Sequence, residues 1–178
     1  MRTMTTTLMI LIAIALTGCG KSEGPGANGP SAKLPEGLML AAAPGDAKNL
    51  IDVKATAKEG DVVTIKAVVG GTMKPFVENR AIVQVIDPSQ QSCRDIPGDT
   101  CPTPWDYCCV PQEELTKNMA TIQVVDAAGQ PLKIAFDQAK ALKPLDEIIV
   151  TGKVGPRPDP NVLVINVTGI YISGTRMK

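Results

Sequence analysis

Apolar positions along most of this chain recur with the two-residue period of a half-buried strand. Residues 61–69 (DVVTIKAVV) set Val63, Ile65, Ala67 and Val69 against Val62, Thr64, Lys66 and Val68, and stop at Gly70-Gly71. Residues 81–87 (AIVQVID) are β-branched and end at Pro88, and residues 120–126 (ATIQVVD) nearly repeat them. A turn at 126–129 leads into residues 132–136, and residues 147–154 and 162–173 form two last runs around the rigid loop 155–161. Helical periodicity is weak: residues 46–57, with Asp46 as a candidate cap, and a turn's worth at 137–142. The apolar stretch 38–43 (LMLAAA) fits either half a turn of helix or a segment packed beneath the domain.

Six strand-like runs with little helix predict an all-β fold. Gly152 and Gly169 fall inside the last two runs, where glycine marks the bulges and bends that small barrels need to turn corners. Three strands, a short helix and two strands is the chain order of the oligonucleotide/oligosaccharide-binding (OB) barrel. One run is then surplus, an extension of the third strand. A seven-stranded sandwich is the rival, but it calls for more regular turns and no helix before its last hairpin.

The N-terminus changes the picture of where this domain works. Arg2 precedes a nine-residue apolar run at 8–16, which has the length of a secretory h-region and is too short for a spanning helix. Leu16-Thr17-Gly18-Cys19 resembles the bacterial lipobox, which implies cleavage of residues 1–18 as a lipoprotein signal peptide and acylation (palmitate-type chains) of Cys19. Residues 19–37, rich in Gly and Pro, read as a flexible tether ahead of a domain at 38–178. The expected location is extracytoplasmic and membrane-bound through lipid. Without an aspartate after Cys19, the resemblance favours the outer membrane on its periplasmic side.

Composition narrows the chemistry. The 18 basic and 18 acidic side chains balance, and removal of the signal takes away only Arg2, so broad phosphate neutralisation of a nucleic acid is disfavoured. The chain has no histidine, which excludes Ser-His-Asp and Cys-His catalysis and Cys/His zinc fingers. No other catalytic constellation stands out, and the reading is of a protein that is not an enzyme and carries no cofactor.

One segment is unusual. The 32 residues at 88–119 hold Cys93, Cys101, Cys108 and Cys109, five prolines, the only tryptophan (Trp105) and Tyr107. So long a connection in a compact domain needs something to order it. With Cys19 lipidated, four cysteines remain in an oxidising compartment, which predicts two disulfides. A Cys108–Cys109 bond would close a strained ring, so each should reach back to Cys93 or Cys101, in either pattern. Each closed loop would contribute about 2–3 kcal/mol. A four-thiolate metal site is the sharper alternative, but the C-x7-C-x6-C-C spacing lacks the C-x-x-C pairs that such sites favour. The same lack speaks against thiol redox exchange. Asp87, Asp95, Asp99 and Asp106 read as turn residues, since their spacing fits no EF-hand.

Residues 60–71, 75–88, the string CPTPWDYCC and the ending VTGIYI together resemble small bacterial secreted lipoproteins with an OB-like barrel, over about residues 47–173. That resemblance implies fold and secretion, and no activity. Trp105 and Tyr107 either pack over an open end of the barrel or form an aromatic platform for a sugar or a partner protein. Lys74, Arg80 and Arg157 sit in or beside the loops that OB folds use for ligands, with solvated surface charge as the plainer reading. The expectation is therefore a lipid-tethered binding or interaction module of the bacterial envelope, its ligand a protein or a glycan. A Cys-based metal or redox protein and a nucleic-acid-binding OB fold are the alternatives.

Overall fold

A computed structural model describes residues 33–176; the expected signal peptide, Cys19 and most of the expected tether lie outside the described residues. The elements are β1 (Lys48–Asn49), α1 (Leu50–Thr56), β2 (Val62–Val69), β3 (Ile82–Ile86), a 3₁₀ turn (Cys93–Asp95), α2 (Gln112–Asn118), β4 (Met119–Gln123), β5 (Asp146–Val154) and β6 (Val164–Thr175). The sheet runs β1-β2-β3-β4-β6-β5, and β5 pairs back onto β2. Five strands thus close a barrel of the OB type, with β1 added along β2 as an extra strand. All neighbours in the barrel are antiparallel except β4 and β6.

The period-two pattern becomes the barrel wall as expected. Ile65, Val83, Ile122, Val150 and Ile165 point inward and are fully buried, while Val62 and Lys66 face out. Closure demands that β5 and β6 bend, and the register of that pair slips at Thr151/Gly152. Gly152 and Gly169 flank the slip. A Cβ on Gly152 would lie 2.5 Å from the Asn166 carbonyl oxygen, and one on Gly169 would lie 2.9 Å from Leu40 Cδ1. Of the 38–43 stretch, Leu38 and Leu40 pack on the barrel, whereas Met39 and residues 41–43 are exposed. Leu40 N–H donates to the Ile170 carbonyl, and Ile170 N–H to that of Leu38, both at 2.7 Å.

Several expectations need correcting. The surplus run at 132–136 is no strand: Pro131 has no N–H to extend a ladder, and only Val125–Pro131 form a bridge. The sixth strand is β1 instead. The 137–142 segment makes one helical turn and no more, because Lys140 adopts φ +53° and the Ala141→Phe136 backbone bond closes a Schellman stop. It still delivers Phe136 and Leu142 to the core. Helix α1 starts after Asn49, whereas Asp46 sits in a preceding turn at φ +56°. Its free N-terminal donor is met from across the fold, where Ile51 N–H donates to the Asp87 carboxylate at 3.1 Å. Finally, Leu34 packs against the core, so the last residues of the presumed tether belong to the folded body.

Candidate functional site: a cluster of thiols and carboxylates

The excursion between β3 and β4 has a small core of its own. Val68 and Ile86, register partners on β2 and β3, form with Leu145 an apolar patch outside the main core. Tyr107 and, from α2, Leu115 cover it. Gly70 and Gly71 let the loop approach the end of β2. A Cβ on Gly70 would lie 2.7 Å from the Trp105 carbonyl oxygen, and that carbonyl accepts a bond from Gly71 N–H at 2.8 Å. Two basic side chains tie down the flanks. Arg176 donates to the carbonyls of Pro88 and Gln90 and pairs with Glu147 at 3.0 Å. Lys54 Nζ donates to the Thr116 and Met119 carbonyls at 2.6 Å each. Burial beside Arg157 lowers the Lys54 pKa, with Asp159 opposing.

On this frame the four cysteines come together. The 3₁₀ turn buries Cys93, and at its end the Asp95 carboxylate accepts bonds from Ser92 N–H (2.8 Å) and Oγ (2.7 Å). Burial works to raise the Asp95 pKa, but those bonds and the charges of Arg176 and Arg94 outweigh it, and the net shift is downward. Further on, the sequence repeats Asp-x-Cys. Asp99 Oδ1 accepts Cys101 N–H at 2.6 Å, and Asp106 Oδ1 accepts Cys108 N–H at 2.9 Å, each an Asx turn that sets a thiol beside a carboxylate. The four aspartates do serve as turn and cap residues, yet two of them also face sulfur. Cys108 Sγ lies 3.6 Å from Cys93 Sγ and 3.8 Å from Cys101 Sγ. Asp106 Oδ1 is 3.9 Å from Cys93 Sγ, and Asp99 Oδ2 is 3.9 Å from Cys109 Sγ. A cavity of ≈ 210 Å³ opens on the cluster between Cys93, Arg94, Asp99 and Cys101.

Two disulfides are therefore not what the geometry holds. All four cysteines are free, and the sulfurs stand well beyond a bond of about 2.05 Å. With no sulfur pair at bonding distance, the excursion is held in the structure by its apolar patch and its side-chain ties to backbone carbonyls. The potential ligand atoms fall into two groups, each within 4.8 Å: Cys93, Cys101, Asp106 and Cys108, and then Cys93, Asp99 and Cys109. Adjacent Cys108 and Cys109 thus serve different groups, which removes the chelation difficulty their adjacency posed. Burial pushes the Cys93 thiol pKa up; hydrogen bonding to Cys93 and Cys101 does the same for Cys108. The Asp-x-Cys repeat is the signal in the sequence that marks this site, and spacing rules built on C-x-x-C overlook it.

The other candidate residues do not gather here. Tyr107 is fully buried at φ +56°, its hydroxyl lacks a partner, and burial raises its pKa to about 12. It is no exposed platform. Trp105 is half-buried, packs against the Val68–Ile86 patch and donates from Nε1 to the Met73 carbonyl at 3.2 Å, while its open side lines a shallow pocket with Pro144 and Leu145. Arg157 spends its guanidinium on the carbonyls of Ala57, Lys54, Pro160 and Val162, bracing the 155–163 loop against the end of α1. A concavity of ≈ 800 Å³ beside α1 is lined by Lys54 and Arg157, which are bonded to backbone carbonyls, and by Lys117, paired with Glu113 at 2.8 Å. Lys74 and Arg80 stand exposed in the 70–81 loop and belong to neither group of ligand atoms. No helix among the described residues is long and apolar enough to cross a membrane. No family model matches the chain, and neither a curated protein nor a solved structure is similar enough to show kinship.

Proposed function

We propose that this chain is a lipid-tethered, extracytoplasmic metal-binding module that is not an enzyme and whose OB-like barrel carries a thiolate site for a soft divalent ion of the zinc class. The observation that carries the reading is the spacing of Cys108 Sγ, 3.6 and 3.8 Å from the sulfurs of Cys93 and Cys101. Zn–S bonds of about 2.3 Å at the tetrahedral angle set sulfurs about 3.8 Å apart, which both spacings match. Asp106 supplies the fourth ligand. Its second oxygen accepts a 2.7 Å bond from Thr103 Oγ1, the kind of outer contact that orients a ligating carboxylate. Export and anchoring rest on the apolar run and lipobox that end at Cys19.

A second reading keeps the envelope-interaction module with a cross-linked loop. What favours it is the same convergence in an oxidising compartment, since Cys108 lies next to two candidate partners. One experiment separates the two. The full chain is isolated from its native membrane without chelator, its metal content is measured, and its thiols are alkylated before intact mass analysis. Zinc-class metal retained with four alkylatable thiols is the expected result. A metal-free chain lacking four hydrogens, as two disulfides require, overturns it in favour of the cross-linked module.

A further inference from the structure

We infer that the loop binds two divalent ions that share the Cys93 thiolate; this rests on the metal-binding reading above. One tetrahedral ion leaves Cys109 and Asp99 unused, yet those two and Cys93 form a second ligand group within the same 4.8 Å limit. Cys93 is the only residue common to both groups, and it is the buried one, while Cys108 and Cys109 are exposed. A thiolate sulfur has three lone pairs and can bridge. The second carboxylate is prepared as the first is: Asp99 Oδ1 is held by Cys101 N–H at 2.6 Å, which leaves Oδ2 facing Cys109 Sγ at 3.9 Å.

Charge supports the pair. With the four thiols deprotonated, their protons released to solvent, the ligands of both groups present four thiolates and two carboxylates. A single dication leaves most of that charge uncompensated at close range. Two dications leave two negative charges beside the Arg94 guanidinium, which lines the adjoining cavity. The ions differ in kind. The first has four protein ligands. The second has three, and its fourth position faces the ≈ 210 Å³ cavity, where solvent completes the shell. The second ion is therefore the weaker bound and the more readily exchanged.

The test uses the full chain, reduced and stripped of metal, titrated with Co²⁺ under anaerobic conditions. Native mass spectrometry counts the ions, and thiolate-to-cobalt absorption reports sulfur ligation. The wild-type chain should take up two Co²⁺, the second about tenfold or more weakly. C109S should hold one at unchanged affinity, and D99N should keep the first and weaken or lose the second. Circular dichroism checks that the variants fold. Two ions retained at unchanged strength in C109S overturn the assignment. A single ion in the wild-type chain overturns the shared-thiolate arrangement, and its survival in C109S leaves the one-ion reading standing. No thiolate-bound ion at all overturns both.

Discussion

In the barrel, Ile65 and Val150 are buried on strands β2 and β5, which pair over seven consecutive positions from Val62 to Val68. In the 87–118 segment Cys93 and Tyr107 are as deeply buried, but the regular structure around them is one three-residue turn and one seven-residue helix. The barrel gains order from a ladder in which each pairing supports the next. The excursion gains it from separate ties: Asx turns, two basic side chains on backbone carbonyls, and one aromatic ring over the Val68–Ile86 patch. A barrel position is therefore insured by its neighbours. An excursion position is held by a few contacts and opens more easily. The proposed metal centre would suit the second region, because ligands brought together by turns would leave the scaffold intact when an ion exchanges.

Substitutions can break this contrast. The largest effect belongs to the barrel: Phe136→Ala removes a fully buried ring and should cost about 3–5 kcal/mol, lowering the midpoint of global unfolding in denaturant. Tyr107→Ala empties comparable space, but its cost is limited by the free energy of opening the excursion alone. Hydrogen exchange should accelerate across 88–118 while β5 and β6 keep their protection; loss of protection in β5 and β6 would mean that the two regions are one cooperative unit. Tyr107→Phe sharpens the same point. It deletes a buried hydroxyl without a partner and should stabilise the chain by about 1 kcal/mol in a melting experiment. A loss of that size would show that the hydroxyl is bonded.

The smallest effect is that of pH. The Asp95 carboxyl has its pKa held below the ordinary carboxylate value, so it contributes stability above that value and loses it as pH falls through the folded pKa. Acidification below the usual aspartate range should loosen the Ser92–Asp95 turn, and with it the setting of Cys93. Tryptophan fluorescence from Trp105 should register this before the far-ultraviolet signal of the barrel changes. Simultaneous change in both signals would place the acid-sensitive group elsewhere.

Much of the barrel was legible because its cues are local. Val63, Ile65, Ala67 and Val69 alternate with a period that only a strand uses, and Gly152 and Gly169 sit where the register slips. Val68 was the misleading member of its run. It lies on the outer face, where alternation predicts exposure, and it is buried because Tyr107 and Leu115 arrive from the excursion. Helix α2 escaped notice within a proline-rich loop, since its seven residues offer only Leu115 as an inward position. The thiol cluster was half legible. Four cysteines in one segment announce joint work, but spacing alone favoured cross-links.

The sequence by itself determined the strands, their breaks and the concentration of sulfur in one loop, because strand period, turn chemistry and composition act over a few residues. Only the tertiary structure decided that β1 rather than residues 132–136 joins the sheet, that Asp87 satisfies the start of α1, and that Arg157 and Tyr107 are braces. It also divided Cys108 from Cys109. Each of these outcomes depends on partners distant in sequence, and no local pattern encodes which distant group arrives within hydrogen-bonding or ligating distance.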